Sequence, residues 1–163
     1  MASVSEEPTE LYMTSMQTHT LTLSASDIRG NLDRILEQHL KREVGDKCTR
    51  YGYIDRDSVV IVRRSIGSIN TVSLNGSLRY DVAYRANVCN PLEGSVIRCK
   101  AISINKMGIL AEQHPVSVVL ARQHSNDEEK FNNVKEGDDI LVRIIGKRFE
   151  LNDEQITAIG QLV

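Results

Sequence analysis

Residues 82–110, VAYRANVCNPLEGSVIRCKAISINKMGIL, alternate apolar and polar side chains, break at Pro91, restart after Gly94, and slip their alternation by one residue near Ala101. A period of two puts one set of side chains on the face of a sheet that packs a core, so a one-residue slip turns every later side chain to the wrong side unless the strand bulges. The stretch therefore predicts one strand before Pro91 and a second, bent strand after Gly94. Proline cannot donate to a ladder and glycine relaxes the backbone, so NPLEG reads as a compact joint between two domains.

Upstream of the joint, Leu78, Tyr80, Val82, Tyr84, Ala86 and Val88 share one strand face while Arg79, Asp81 and Arg85 take the other. Ile28, Leu32, Ile35, Leu36, Leu40 and Val44 recur at helical spacing, predicting a helix over 27–43. Ser24 or Ser26 caps its start, Lys41 and Arg42 suit its last turn, Gly45 stops it, and Gly30 allows close packing within its first turns. KCTRYGYI and SVVIVRRS, divided by the turn-like DRDS, predict a hairpin, and 13–23 alternates as a weaker strand. Residues 1–12 are acidic and without period, which predicts a mobile tail. A small α+β domain over 13–90, one helix on an antiparallel sheet, accounts for these elements.

Downstream, Ile97, Cys99 and Ala101 carry the core on one parity and Ile102 and Ile104 on the other. A long first strand bent at its middle, then MGILAEQ, PVSVVLARQ, EGDDILVRIIGKRF and EQITAIGQLV, predict a five-stranded OB barrel over 91–163, with HSNDEEKFNN as a polar excursion between strands three and four. The fold class is α+β. A chain of 163 residues, 40% hydrophobic and 26% charged, suits two small domains.

These residues also carry a resemblance. Val82, Tyr84, Arg85, Ala86, Val88, Pro91, Gly94 and Val96, followed by NKMGIL, VRIIGKR and AIG, resemble the larger stalk subunit of archaeal and eukaryotic RNA polymerases, the family of subunit seven in polymerase II and its archaeal counterpart. The likeness extends back through CTRYGYI and the helix, and large DNA viruses encode homologues of polymerase subunits. It implies a tip domain that docks on the polymerase core near the clamp, an S1 domain of OB type that faces emerging RNA, and a smaller stalk partner packed along both. Where S1 domains of the family often carry aromatics, this chain has Ile109, Leu110, Val118 and Val119. A free-standing S1 adaptor of the translation or exosome-cap type is the alternative.

The remaining chemistry is sparse. There is no phosphate loop, nucleophile elbow or HExxH helix, and His19, His39, His114 and His124 are scattered. Asp127 with Glu128 and Asp138 with Asp139 read as solvated loop pairs, and Asp55 and Asp57 lack the rest of a calcium loop. Cys48, Cys89 and Cys99 form no CxxC pair and read as reduced small hydrophobes. The expectation is a protein without catalytic residues, metal or cofactor. A net charge of -2 excludes coating nucleic acid by overall charge, so any RNA contact is local. Arg98, Lys100 and Lys106 in one stretch, Arg143, Lys147 and Arg148 in another, and His114 and Arg122 are the candidates, since strands one and four of an OB barrel bring such stretches near one groove. Tyr51, Gly52 and Tyr53 are the candidates for docking on the polymerase core, as tyrosine joins a flat apolar face to a polar tip. Val88, Pro91, Leu92 and Gly94 are candidates for partner or interdomain packing. No apolar run approaches the ~20 residues that span a bilayer, and the N-terminus lacks a signal-peptide pattern. The expected location is intracellular: the nucleus for a cellular eukaryotic protein, the cytoplasm or virion for a viral or archaeal one.

Overall fold

The structure is a computed structural model that describes residues 7–125 and 128–163; residues 1–6 of the expected tail and Asp127 of the expected acidic pair lie outside them. Strand β1 (Tyr12–Leu23) leads to helix α1 (Leu32–Val44), and the short strands β2 (Lys47–Thr49), β3 (Gly52–Ile54), β4 (Val60–Arg64) and β5 (Ser68–Ile69) precede the long β6 (Leu78–Cys89). Then come β7 (Val96–Ile104), β8 (Gly108–Gln113), β9 (Val116–Ala121), helix α2 (Glu128–Asn133), β10 (Asp139–Arg148) and β11 (Ile156–Leu162). Hydrogen bonding gives a six-stranded antiparallel sheet of order β1-β6-β3-β2, with β4 and β5 also paired to β6, and a closed barrel of order β10-β11-β9-β8-β7.

The chain divides into two compact units, one of 13–47 and 54–88, the other of the described residues up to Tyr12, Cys48–Tyr53 and Cys89–Val163. In the first, Leu36, Leu40 and Val44 of α1 pack with Leu21 and Leu23 of β1 and with Tyr80, Val82, Tyr84, Ala86 and Val88 of β6, the face that period-two alternation predicts. The helix begins five residues later than its apolar spacing suggests. Gly30 sits at φ +87°, a left-handed conformation that no helix contains, and Asn31 is the cap, its Oδ1 accepting from the N–H groups of Asp33 (3.0 Å) and Arg34 (3.4 Å). Ser24 instead caps a separate 3-10 turn over Ala25–Asp27. Gly45 ends the helix as expected, its N–H reaching Lys41 O at 3.1 Å.

The expected hairpin takes another form. Thr49 Oγ1 accepts from Tyr51 N–H and donates to Gly52 O, both at 3.2 Å, and Gly52 turns the chain at φ +129°, so KCTRYGYI is two short strands. Asp55 caps a 3-10 turn over Arg56–Ser58, and β4 pairs with β6, Val60 opposite Arg85 and Arg63 opposite Ala83, with a bulge at Val62.

The second unit is the predicted barrel. Strands β9 and β11 run parallel, and every other neighbouring pair runs antiparallel. The register of β7 against β8 shifts between Ala101 and Ser103, so Ile102 is the extra residue that the sequence slip requires. Gly160 lets the barrel close: a Cβ there would lie 2.3 Å from Val142 Cγ1 and 2.8 Å from Val118 Cγ1. The run HSNDEEKFNN is not a plain polar loop, because it holds α2, whose Phe131 is buried in the barrel core. A helix forms there because Phe131 gains burial that no other side chain of the run can offer. Within the expected tail, Thr9 N–H donates to Val96 O at 2.8 Å and Leu11 and Tyr12 pack against the barrel core. Cys48 N–H donates to Asp153 O (2.7 Å) and Asn152 N–H to Cys48 O (2.9 Å), tying 48–53 into this unit.

Candidate nucleic-acid and docking surfaces

The eight expected RNA-binding residues separate into three groups on the barrel. Arg98 and Lys100 on β7 and Arg143 on β10 are exposed on adjacent strands. Arg98 faces Leu141 and Val96 faces Arg143, which makes the two arginines diagonal neighbours about 7–8 Å apart. Lys100 has acidic cross-strand neighbours on both sides, Asp139 and Glu112, which weaken its field. Lys106 and Arg122 share the other end of the barrel, where Arg122 N–H donates to Met107 O at 3.2 Å. The Arg122 guanidinium stacks over the Phe131 ring at 5.4 Å and donates to Asn132 Oδ1 at 3.0 Å, so much of its donor capacity pins α2.

The third group is already engaged elsewhere. Lys147 Nζ donates to Asn90 Oδ1 and, at 2.7 Å, to Pro91 O, and Asn90 Nδ2 donates to Tyr51 O at 2.9 Å. This half-buried lysine holds three chain segments together, which leaves less of it for phosphate. Arg148 pairs with Glu150 at 2.9 Å. His114 Nε2 lies 3.2 Å from Tyr53 Oη, the rings edge to face with centroids 5.5 Å apart.

Of the expected docking trio, only Tyr51 is a surface residue, 46% exposed with the Arg50 guanidinium 4.6 Å over its ring. Gly52 is buried and Tyr53 is 3% exposed in the barrel core, so neither presents a side chain to a partner. Strand alternation gives no warning of this, because 48–53 is packed by residues distant in sequence, Tyr53 by His114 and Cys48 by Gln155. Among the joint residues, Val88 is buried in its own unit, Pro91 is buried, Leu92 is 68% exposed, and Gly94, at φ +85°, donates its N–H to Ile144 O at 2.7 Å.

One surface escaped the sequence reading, and a second was legible only at Leu110 and Val119. Ile66, Ile69, Val72 and Leu74 are 91%, 71%, 93% and 102% exposed in the segment before β6. The signal was present, since residues 65–78 contain no charged side chain yet four large aliphatics precede Leu78. On the barrel, Leu110, Val119 and Ile159 face one another on successive strands and remain 39%, 43% and 49% exposed. Ile109 and Val118, their neighbours in sequence, point inward.

The thiols offer no nucleophile. Burial pushes Cys48 up to about 11, with Asp153 adding to it, and pushes Cys89 and Cys99 up to about 12. Among the described residues no group of three or more His, Cys, Asp and Glu side chains could hold a metal ion, and no helix is long and apolar enough to cross a membrane.

No protein-family model matches the chain. It is 28% identical over 166 residues to a protein of Acanthamoeba polyphaga mimivirus named as a DNA-directed RNA polymerase subunit, covering 94% of this chain and 82% of that one. It is 28% identical over 117 residues to DNA-directed RNA polymerase II subunit RPB7 of Saccharomyces cerevisiae, covering 69% of this chain and 66% of the yeast one. The corresponding subunit of Schizosaccharomyces pombe is 23% identical over 152 residues, 82% of this chain and 86% of its own. With a helix-on-sheet unit and a closed barrel in one chain, and with similarity covering most of its length, the chain is a homologue of RNA polymerase subunits, both the cellular subunit RPB7 and a viral one.

Proposed function

We propose that the protein is a non-catalytic stalk subunit of a multisubunit DNA-directed RNA polymerase, docking on the core near the clamp, pairing with a smaller stalk subunit and contacting nascent RNA. The observation that carries this reading is the similarity to a viral RNA polymerase subunit over 94% of the chain. The unit of 13–47 and 54–88 serves as the docking domain, and the barrel unit, Cys89–Val163 with Cys48–Tyr53, as the RNA-facing S1 domain. Core contact falls to the uncharged segment 65–78, whose four exposed aliphatics would each bury apolar area worth ~25 cal/mol per Å² on docking. Leu92 supplies an exposed aliphatic for the smaller partner. RNA contact centres on Arg98, Arg143 and Lys106, with Lys100 attenuated by its acidic neighbours. Without aromatic platforms the affinity is modest, and tethering beside the transcript compensates by raising the effective concentration to the order of millimolar. The setting is the nucleus for a cellular eukaryotic protein, the cytoplasm or virion for a viral one.

Purification of the tagged chain from its native cells, with mass identification of every co-purifying protein, tests this directly. Large polymerase chains and one small additional partner are expected, and replacing Ile66, Val72 and Leu74 by Ser releases the core chains. Recovery of ribosomal or exosome proteins in place of polymerase chains overturns the reading.

A further inference from the structure

Helix α1 covers one face of the sheet built from β1, β6 and β4, and the other face is open. Thr20 Oγ1 donates to Asp81 Oδ1 at 2.7 Å and Thr14 Oγ1 to Asn87 Oδ1 at 3.1 Å. These two contacts fix the antiparallel register between them, so Met16 lies beside Arg85 and Thr18 beside Ala83. Across β6 the opposite neighbours are Val60 for Arg85 and Arg63 for Ala83, with the bulged Val62 alongside. The open face thus reads Met16, Arg85, Val60 in one row and Thr18, Ala83, Arg63 in the next.

Its chemistry is unusual for a solvated face. Met16, Val60 and Val62 are 59%, 40% and 58% exposed. Arg63 and Arg85 are exposed, and among the described residues neither has an ion-pair partner. The carboxylate in the adjoining row, Asp81, is engaged by Thr20 and by Arg79 at 3.7 Å, so it does not neutralise them. Two uncompensated cations set among aliphatic side chains complement a ligand with the inverse pattern, carboxylates spaced by aliphatic groups. Single-stranded RNA also brings anions, but it carries no aliphatic side chains to cover Met16, Val60 and Val62, which an acidic polypeptide segment does.

We propose that the open sheet face binds an acidic segment of a partner polypeptide, Arg63 and Arg85 receiving carboxylates while Met16, Val60 and Val62 receive the aliphatic side chains between them. The source of the partner rests on reading the chain as a polymerase subunit; the chemistry of the face does not. This surface is separate in sequence from the uncharged segment 65–78 and asks for a differently charged ligand.

The test places the photo-cross-linker p-benzoylphenylalanine at Thr18, and in a second preparation at Val62, in the full chain within its native assembly. The expected result is a protein adduct from both positions that maps to an acidic segment, its yield falling about tenfold when Arg63→Glu and Arg85→Glu are combined, with an unchanged melting temperature because both side chains are exposed. An RNA adduct, an adduct to a segment without carboxylates, or no adduct from either position in an assembly that still contains polymerase chains overturns the proposal and leaves the polymerase reading standing. Absence of polymerase chains from the unsubstituted preparation, together with an acidic-segment adduct, overturns that reading and supports the face.

Discussion

The barrel and the helix-on-sheet unit bury their interiors by different means. Five strands close on one another in the barrel, and the space inside is filled by small and β-branched residues such as Ala101, Ala111, Val116, Val118, Val142 and Ala158, completed by the rings of Tyr53 and Phe131. The other unit lays one helix on a sheet and fills the gap with long side chains, Leu21, Leu23, Leu36, Leu40, Tyr80 and Tyr84. A closed ring of hydrogen bonds cannot shift to absorb a change in volume, whereas a helix on a sheet can slide or tilt by fractions of an ångström. Errors in volume should therefore cost more in the barrel.

The largest expected effect follows from that difference. Phe131→Ala removes the ring that α2 inserts and should cost about 3–5 kcal/mol, read from urea unfolding; Gly160→Val, which drives atoms onto Val142 and Val118, should be comparably severe. Leu36→Ala, equally buried, should cost about 2–3 kcal/mol, the lower part of the range for such truncations, because the helix can settle toward the sheet. Equal losses for Phe131→Ala and Leu36→Ala would remove the contrast.

What sequence could and could not foretell follows the same division. The strand faces and the slip that the bulge at Ile102 produces were legible because alternation records burial residue by residue. The start of α1 was not, since Ile28 continues the apolar spacing and only the backbone angle of Gly30 breaks it. Phe131 was hidden by its polar neighbours. The candidate RNA surface was the least legible, because a cation's availability depends on residues opposite it: Lys100 lies between Asp139 and Glu112, and Lys147 is spent on Asn90 and Pro91.

A second way to separate the regions is alkaline pH. All three thiols belong to the barrel unit's core. Their folded-state pKa values are raised from 9.0, to about 11 for Cys48 and about 12 for Cys89 and Cys99. Well below pH 9.0 the thiols are neutral in both states and their contribution to stability is fully present; as pH rises through 9.0 toward 12 the unfolded chain ionises first, and that contribution is lost. Barrel stability should fall by at most about 1.4 kcal/mol per pH unit for each thiol, and Cys99→Ala should flatten the slope by one such increment. Hydrogen exchange resolved by segment would show α1 and β6 insensitive to that substitution.

Smaller still is the cap of α1. Asn31→Ala leaves the N–H groups of Asp33 and Arg34 without their acceptor and should cost about 1 kcal/mol in the helix-on-sheet unit, with the barrel's exchange rates unchanged. Loss of protection in the barrel as well would mean that the two regions unfold as one.

The smallest effect concerns two consecutive arginines that the bulge at Val62 sends in different directions. Arg64 lies opposite the buried Val82 and reaches α1, where its Nε contacts Asp33 Oδ1 at 2.5 Å; Arg63 lies opposite Ala83 on the open face. The Arg64–Asp33 pair is partly solvated, with side-chain exposures of 34% and 70%, so a double-mutant cycle should return only about 0.5 kcal/mol, reduced further by salt. Arg64→Ala should therefore lower stability slightly while leaving the yield of the Thr18 adduct unchanged, and Arg63→Glu should do the reverse. A loss of adduct on Arg64→Ala at unchanged stability would mean that Arg64, not Arg63, serves the open face and that the bulge at Val62 does not separate the two arginines.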